Sequence, residues 1–394
     1  VAEMVRLEKV EPLTSELLER LGFRWHTDAD GTSYVADEIV VVSEAEAEAY
    51  YEAANTLYDM YVEAGEYVIE NDLFHDIGIP FNLVDAVKKS WENDVHWHIY
   101  GRFDFAGGIE GRPIKLLEFN ADTPTSLFET AIIQWALLKI NGMDEAAQFN
   151  HVYEAIRDNF RRLIVLDGNV EEFGRHYEGW KILFSAIRGS IEDENTTRLL
   201  QKIADDAGFH TDFAFADEVE FSDEEGIFFG GERFEYWFKL IPWETIAIEE
   251  GDLARILTNI MKNQKAIILN PAYTLMFQSK GMLKILWDLF AGHPLLLETS
   301  FEPLKKKQVQ KPFFGREGGG VRILDAEGNE LERGEAIYTD QPAIYQAYEP
   351  LLEDEAGRRY QAGVFFAYEG CGLGYRRGGE ILGNMSKFVS HLVR

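Results

Sequence analysis

Within "GRPIKLLEFNADTPTS", residues 111–126, an acid and an amide interrupt what otherwise reads as a buried strand. Strand side chains alternate between faces, so Leu116, Glu118 and Asn120 share one face and Leu117, Phe119 and Ala121 the other. The preceding "HIYGRFDF" sets His98, Tyr100, Arg102 and Asp104 against Ile99, Gly101, Phe103 and Phe105. With a turn near "AGGIEG", the two strands make a hairpin on which Asp104 lies close to Glu118 and Asn120. Two carboxylates and an amide oxygen are the hard-oxygen ligands that Mg²⁺ accepts, with positions left over for phosphate oxygens and water. The plain alternative is a solvated hairpin face.

A second group of residues points to phosphate. "VQKPFFGREGGGVRIL", residues 309–324, carries Lys311, then Arg316, Glu317 and the glycines Gly318, Gly319 and Gly320 between two apolar strands. Such a turn lets backbone N–H groups close on an anion that side chains would keep away. It is neither a P-loop, which needs Lys-Ser/Thr after the glycines, nor a dinucleotide fingerprint. Lys280, in "QSKGMLKILW", adds a second lysine at a helix start. Paired arginines, Arg376 and Arg377, lie in a glycine-rich strand or turn where a guanidinium can clamp a carboxylate or a developing phosphoryl charge.

Other residues carry less. Glu192, Asp193 and Glu194 of "IEDENTT" follow the strand "WKILFSAIRGS" and precede a helix, where they can face a cleft or simply favour a helix N-terminus. Cys371, the single cysteine, excludes an internal disulfide and has no nearby His to form a dyad, so it reads as a small buried hydrophobe. The nine histidines show no helical ligand spacing for zinc.

The elements that must position these groups follow from periodicity. Residues 44–70 are rich in helix formers with Ser43 as N-cap. Strands are expected over 96–108 and 112–122, then a helix from about Pro124 to Ile140 with Thr123 before it. From "WKILFSAI" to "KAIILNP" strand-like and helix-like segments alternate, an α/β or α+β rhythm in which "EYWFKLIPWE" supplies core aromatics. A helix spans 279–292, a strand 344–349, and further strands finish the chain. No repeat or long linker appears, which implies one unit of tightly packed lobes over 1–394.

Composition sets the remaining bounds. With 394 residues, 46% hydrophobic and 13% aromatic, the chain can bury a large core. A net charge of −31 repels nucleic acid and anionic membrane and is compatible with a cationic substrate. Runs such as "AIIQWALLKI" are too short to span a bilayer, and no signal segment opens the chain, so a cytoplasmic location is expected.

In order along the chain, Arg-x-Asp, "LLEFNADTPTSLFETA", "NPAYTLMFQSKGMLKILWDLF", "KPFFGREGGG", "YQAYEPL" and "GYRRGGEILGNMSKF" resemble the synthetase part of the glutathionylspermidine synthase family. The resemblance covers nearly the whole chain. It implies an ATP-grasp fold in permuted chain order, with a metal-binding hairpin and helix over about 96–140 and nucleotide-binding lobes over about 265–394. It implies Mg²⁺ on Asp104, Glu118 and Asn120, and Arg102 at the reacting phosphoryl and carboxylate groups. Lys280, Lys311, Gln346 and Tyr348 would hold ATP, with Gly315–Gly320 as a mobile phosphate cover. Either Arg376 or Arg377 would be the family's C-terminal arginine, and Arg376 is favoured.

The activity implied is an ATP-dependent carboxylate–amine ligase working through an acyl phosphate, joining glutathione or another peptide to a polyamine or other amine. Glu192 and Glu194 are the candidates for holding that amine. The N-terminal amidase and catalytic cysteine of the bifunctional members are missing from this sequence, which resembles the stand-alone homologues instead. The alternative function is an ATP-binding regulatory or scaffold module that has lost ligation.

Overall fold

The structure, a computed structural model, describes residues 3–338 and 340–394. Its longest helix, Glu44–Glu70, starts where Ser43 accepts from the Glu46 N–H at 3.1 Å and Glu46 accepts from the Ser43 N–H at 2.8 Å. This reciprocal cap satisfies two donors that the first helical turn leaves open. Tyr50, Leu57, Tyr61, Ala64 and Val68 recur at helical spacing on its buried face. That face packs on the central sheet: the Tyr61 ring lies 5.1 Å from Phe119 and 6.0 Å from Phe103, and Tyr50 lies 6.1 Å from Phe105.

The central sheet runs in the order Leu7–Lys9, Val35–Val42, Lys387–Val393, Glu369–Gly378, Arg359–Ala367, Gly101–Ala106, Lys115–Asn120. Val35–Val42 pairs parallel to Lys387–Val393, and the other neighbours along this path are antiparallel. The alternating middle of the chain forms a parallel sheet, ordered Ile267–Leu269, Tyr236–Lys239, Lys181–Ser185, His210–Phe213. Tyr236–Lys239 is buried along its whole length, as a strand covered on both faces must be. A third, antiparallel sheet, Thr299–Ser300, Ala343–Ala347, Gln308–Pro312, Arg322–Leu324 and Glu330–Arg333, carries the glycine-rich turn.

Three expectations change. The strand expected over 96–108 is only Gly101–Ala106. Just before it, side chains replace the ladder: Asn270 accepts from the Ile99 N–H at 2.9 Å, and Asn159 donates to the Ile99 carbonyl at 2.7 Å. His98 and Tyr100 therefore leave the polar row; His98 turns to Tyr58 and Tyr100 enters the core. Second, a β-bulge beside Phe105 pairs Asp104 with Glu118 but Phe105 with Leu116. Leu116 joins the core and the extra residue, Leu117, faces the cleft. Third, the helix expected from Pro124 starts at residue 127 after Ser126, whose φ of 68° is left-handed, and opens with a π-helical segment, Glu129–Ile133.

Buried histidines give the fold a defined response to acid. His98 Nε2 donates to the Ala121 carbonyl at 2.6 Å, so Nδ1 accepts from Tyr58. His391 Nε2 accepts from the Phe149 N–H at 2.9 Å, so Nδ1 faces Gln134 as the donor. Burial pushes His98 down to about 4 and His391 down to about 3. Between the unfolded value near 6.5 and these, the unfolded chain binds protons that the folded chain refuses, so stability falls as pH falls. Each group contributes about 1.4 kcal/mol per pH unit across that window. Urea unfolding at pH 7, 5.5 and 4.5 should show a falling midpoint; a constant one would contradict the buried neutral rings.

Candidate functional site

The polar face of the hairpin opens into a cleft of about 380 Å³ between the central sheet, the glycine-rich sheet and the start of the helix Ile191–Ala207. Register places Asp104 opposite Glu118 and Arg102 opposite Asn120. Asn120 Nδ2 donates to Asp104 Oδ2 at 2.9 Å and reaches Glu118 Oε1 at 3.4 Å. Arg102 grips Asp104 with two hydrogen bonds of 2.7 and 3.1 Å and donates to the Thr125 carbonyl at 2.7 Å. Beneath it, Gln278 accepts from the Ala121 and Asp122 N–H groups and fixes the chain just after Asn120.

Lysines enter from the facing elements. Lys280 sits at the N-cap of the helix Gly281–Leu289, somewhat shorter than the expected 279–292, and its Nζ lies 3.2 Å from Glu118 Oε2. Lys311, in Gln308–Pro312, donates to Gln346 at 2.7 Å and to the Leu117 carbonyl at 3.1 Å, bridging the glycine-rich sheet to the central sheet. The charges settle accordingly. Burial raises the Asp104 carboxyl against the pull of Arg102, whereas for Glu118 burial is outweighed by Lys280 and Lys311 and the group is held low. Burial, reinforced by Lys280 and opposed by Glu118, brings Lys311 down to about 8.

The glycine-rich turn roofs this group. Gly318 has φ of 72°, and a Cβ there would meet the Leu382 carbonyl at 2.5 Å, so only glycine fits. Gly315, Gly318 and Gly319 line the cleft. Gly320 does not; its N–H donates to the Glu335 carbonyl at 2.7 Å and closes the turn. Arg316 crosses from the turn to donate to Thr123, which is therefore not the helix cap expected of it. Val309, Ile323, Leu351 and Leu382 give the cleft an apolar stretch beside Gln346 and Tyr348. The Tyr348 hydroxyl donates to Glu380 at 3.0 Å, and Lys307 lies 3.9 Å from its ring.

The adjacent arginines separate. Arg376 lines the cleft, donates to the Gly383 carbonyl at 3.1 Å, and has a buried Nε with no partner among the described residues. Arg377 points to the other face and pairs with Glu38 at 3.0 Å. The acidic residues also separate. They lie inside the first turn of Ile191–Ala207, whose cap is Ser190, rather than ahead of the helix. Glu192 and Asp193 line the cleft, while Glu194 lies along the helix 3.9 Å from Arg198 and stays outside it. Burial and the carboxylates of Glu129, Asp193 and Glu317 push Glu192 up to about 8, with Arg376 opposing.

Two participants were not singled out by pattern. Glu129, fully buried in the π-helical segment, accepts from Tyr34 at 2.8 Å, and its Oε1 has no partner among the described residues. Its one local signal is an acid inside an apolar run. Thr123 gave no sign of its contact with Arg316, 193 positions away. Cys371 is fully buried, and burial pushes its thiol well up, as fits a small core residue. Among the described residues no cluster of three His, Cys, Asp or Glu suited to a metal occurs. No helix among them is long and apolar enough to cross a membrane.

The family model described as "Glutathionylspermidine synthase preATP-grasp" matches residues 5–394. A Haemophilus influenzae protein named "Putative acid--amine ligase" is 26% identical over 404 residues, covering 96% of this chain and 97% of that one. The bifunctional glutathionylspermidine synthetase/amidase of Escherichia coli is 24% identical over 77% of this chain, and the trypanothione synthetase of Crithidia fasciculata 23% over 83%. The chain spans about half the length of these two, 51% and 52%. Among solved structures, a glutathione synthetase-like effector from Globodera pallida superposes with a TM-score of 0.56 at 11% identity, covering 98% of this chain and 100% of that one. That likeness shows a shared fold, the ATP-grasp α/β arrangement. With a family match running from residue 5 to the last residue, this chain belongs to the glutathionylspermidine synthase preATP-grasp family.

Proposed function

We propose that the cleft is the active site of an ATP-dependent acid–amine ligase, with residues 265–394 supplying most of the nucleotide site and the hairpin the metal site. The observation that supports this most is convergence. In a chain of net charge −31, Arg102, Lys280, Lys311, Arg316 and Arg376 all line one cavity, roofed by a glycine turn and floored by three oxygen donors. These cations, gathered in one cavity beside its carboxylates, would supply the counter-charges a polyanion needs, and the apolar stretch beside Gln346 and Tyr348 suits a flat base.

The donor set would fit Mg²⁺: Asp104 and Glu118 offer carboxylate oxygens, and the Asn120 amide, whose Nδ2 donates to both, would bring its oxygen to the same place by turning over. Bound there, the ion would neutralise phosphate charge and polarise the transferred group. Lys280 and Lys311 would hold ATP phosphates, and the turn Gly315–Gly320 would cover them. A substrate carboxylate would attack the γ-phosphorus and release ADP, with Arg102 and Arg376 stabilising the charge that builds up. The acyl phosphate formed is a good acyl donor; an amine displaces phosphate and leaves an amide.

Glu192 suits the second half-reaction. An attacking ammonium must lose a proton, and a carboxylate held up near 8 is a stronger base than an ordinary one. The acyl acceptor in this reading is a cationic amine, a polyamine being one form, and the acid is glutathione or another peptide, as the names of the bifunctional relatives suggest for those proteins. Asp193 takes the place that pattern gave to Glu194.

The test is incubation with ATP, Mg²⁺ and mixtures of acids and amines, with mass spectrometry for amides that appear together with ADP. Nucleotide binding with no ADP or amide from any mixture would favour the non-ligating module instead. Lys311→Met should weaken nucleotide binding by about 1.5–3 kcal/mol, the range for a charge-assisted hydrogen bond to phosphate. Calorimetry with a non-hydrolysable ATP analogue reads it, and wild-type affinity would remove Lys311 from the phosphate site.

A further inference from the structure

The helix that follows Ser126 packs against the strand Glu369–Gly378, on the face that Gly374 and Arg376 share. The approach is close. A Cβ at Gly374 would come within 3.0 Å of Thr130 Oγ1, and Gln134 Nε2 donates to the Leu373 carbonyl at 2.9 Å. Glu129, next to Thr130, is therefore carried over the face from which the Arg376 side chain projects. Tyr34 ties the same place together. Its carbonyl accepts from the Phe388 N–H at 3.1 Å, Phe388 stands directly opposite Arg376 in the sheet, and the Tyr34 hydroxyl donates to Glu129 Oε2 at 2.8 Å. The helix is π-helical here, over Glu129–Ile133; such segments are rare and recur at functional sites.

Two buried atoms at this junction have no partner among the described residues, and their groups have opposite charge: Glu129 Oε1 and Arg376 Nε. The guanidinium donates through Nη2 to the Gly383 carbonyl at 3.1 Å, which leaves its Nε side for Glu129. A fully buried carboxylate without a counter-ion neutralises itself. Burial does push the Glu129 carboxyl up, but the Tyr34 hydroxyl and the charges of Arg376 and Arg102 oppose it. Arg376 also faces Glu192, so two acids flank one guanidinium. Arg102 and Arg376 line a common recess of about 10 Å³ with Ser126 and Thr130, and two like charges there need an anion between or behind them.

We propose that Glu129 is a positioning residue for the reaction in the cleft: clamped at Oε2 by Tyr34, it turns Oε1 to the Nε side of Arg376 and fixes the guanidinium plane so that its remaining donors face the reacting groups. A guanidinium is rigid and its donors form a fixed fork, so holding one edge sets where the others point. The kinetic consequence rests on the ligase reading of the cleft. The contact between Glu129 and Arg376 does not.

Two measurements on the full chain test the proposal. With ATP, Mg²⁺ and an acid–amine pair that the wild type joins, Glu129→Gln should lower kcat about tenfold or more and leave the KM for ATP unchanged, because a small misplacement of a group at the reacting centre has a cost of that order. Tyr34→Phe should act in the same direction with a smaller effect. Adding Glu129→Gln to Arg376→Ala should change kcat by less than about twofold, since a residue that acts through a guanidinium has nothing to act on once it is gone. The second measurement needs no turnover. Phenylglyoxal modification of Arg376, followed by peptide mass spectrometry, should run about tenfold faster in Glu129→Gln, because a guanidinium that loses a buried counter-charge gives up its proton more readily. Gln keeps the shape of Glu and can still accept from Tyr34, so the urea midpoint should not fall. Wild-type kcat in Glu129→Gln, a wild-type modification rate, an additive loss in the Arg376→Ala background, or a slower rate that comes only with a lower urea midpoint would each overturn the proposal. A wild type that joins no acid to any amine would sink the ligase reading alone, and the modification rates would still decide whether Glu129 holds Arg376.

Discussion

Glu118→Gln should separate two properties that rise together in most ATP sites: affinity for the free nucleotide increases while metal-supported turnover collapses. Glu118 is the carboxylate that answers Lys280, at 3.2 Å, and it also steadies the Lys311 ammonium. Taking its charge away leaves two ammonium groups facing the proposed phosphate site with one counter-charge fewer. A unit charge at about 4 Å is worth about 1–4 kcal/mol between water-like and protein-like dielectrics. Binding of ATP in a chelator should therefore tighten by roughly tenfold. The same change removes one of the three proposed oxygen ligands, so Mg²⁺-dependent turnover should fall at least about 100-fold. Only 27% of the Glu118 side chain is exposed, but it faces a cleft rather than the core, and Gln keeps its shape and can still accept a hydrogen bond. Calorimetry in chelator and a coupled ADP assay with Mg²⁺ check the two halves. Loss of both would make Glu118 a structural residue, and retained turnover would move the metal elsewhere.

The hairpin was legible because alternation is a local property. Two short strands with carboxylates on one face and phenylalanines on the other have few ways to fold, and Phe103 and Phe119 do stack at 3.9 Å beneath Asp104 and Glu118. Its limits were not legible. The strand begins at Gly101 because Asn159 and Asn270 satisfy the backbone before it, and both lie far along the chain. The bulge at Leu117 likewise depends on how two strands meet rather than on either alone. The acidic residues show the same division. Composition placed negative charge near a helix start, but only the helix phase shows that Glu192 and Asp193 enter the cleft and Glu194 does not. The order of motifs along the chain carried the family, which fixes the fold class more firmly than any single motif does.

Arg376 and Arg377 offer the sharpest test of placement, because neighbours on one strand cannot share a face. Both lie in Glu369–Gly378, opposite Gln361 and Tyr360. Arg376 reaches the cleft with its Nε unsatisfied and one bond to a carbonyl, so much of its donor capacity faces the site. Arg377 is engaged on the opposite face by Glu38, at 3.0 Å, and by the Tyr360 hydroxyl, at 3.4 Å. Arg376→Ala should therefore lower kcat about 10²–10³-fold, the size seen when one preorganised donor to a developing negative charge is lost. Its urea midpoint should barely move. Arg376→Lys should recover part of the rate, because it restores the charge without the planar fork. Arg377→Ala should do the reverse. Turnover stays near wild type and stability drops by about 1–2 kcal/mol, limited because Glu38 keeps Arg358 at 3.2 Å as a second partner. Measuring kcat and the unfolding midpoint for all three variants decides the matter. A rate loss in Arg377→Ala with an active Arg376→Ala would reverse the assignment, and a stability loss without rate loss in both would remove this strand from the chemistry.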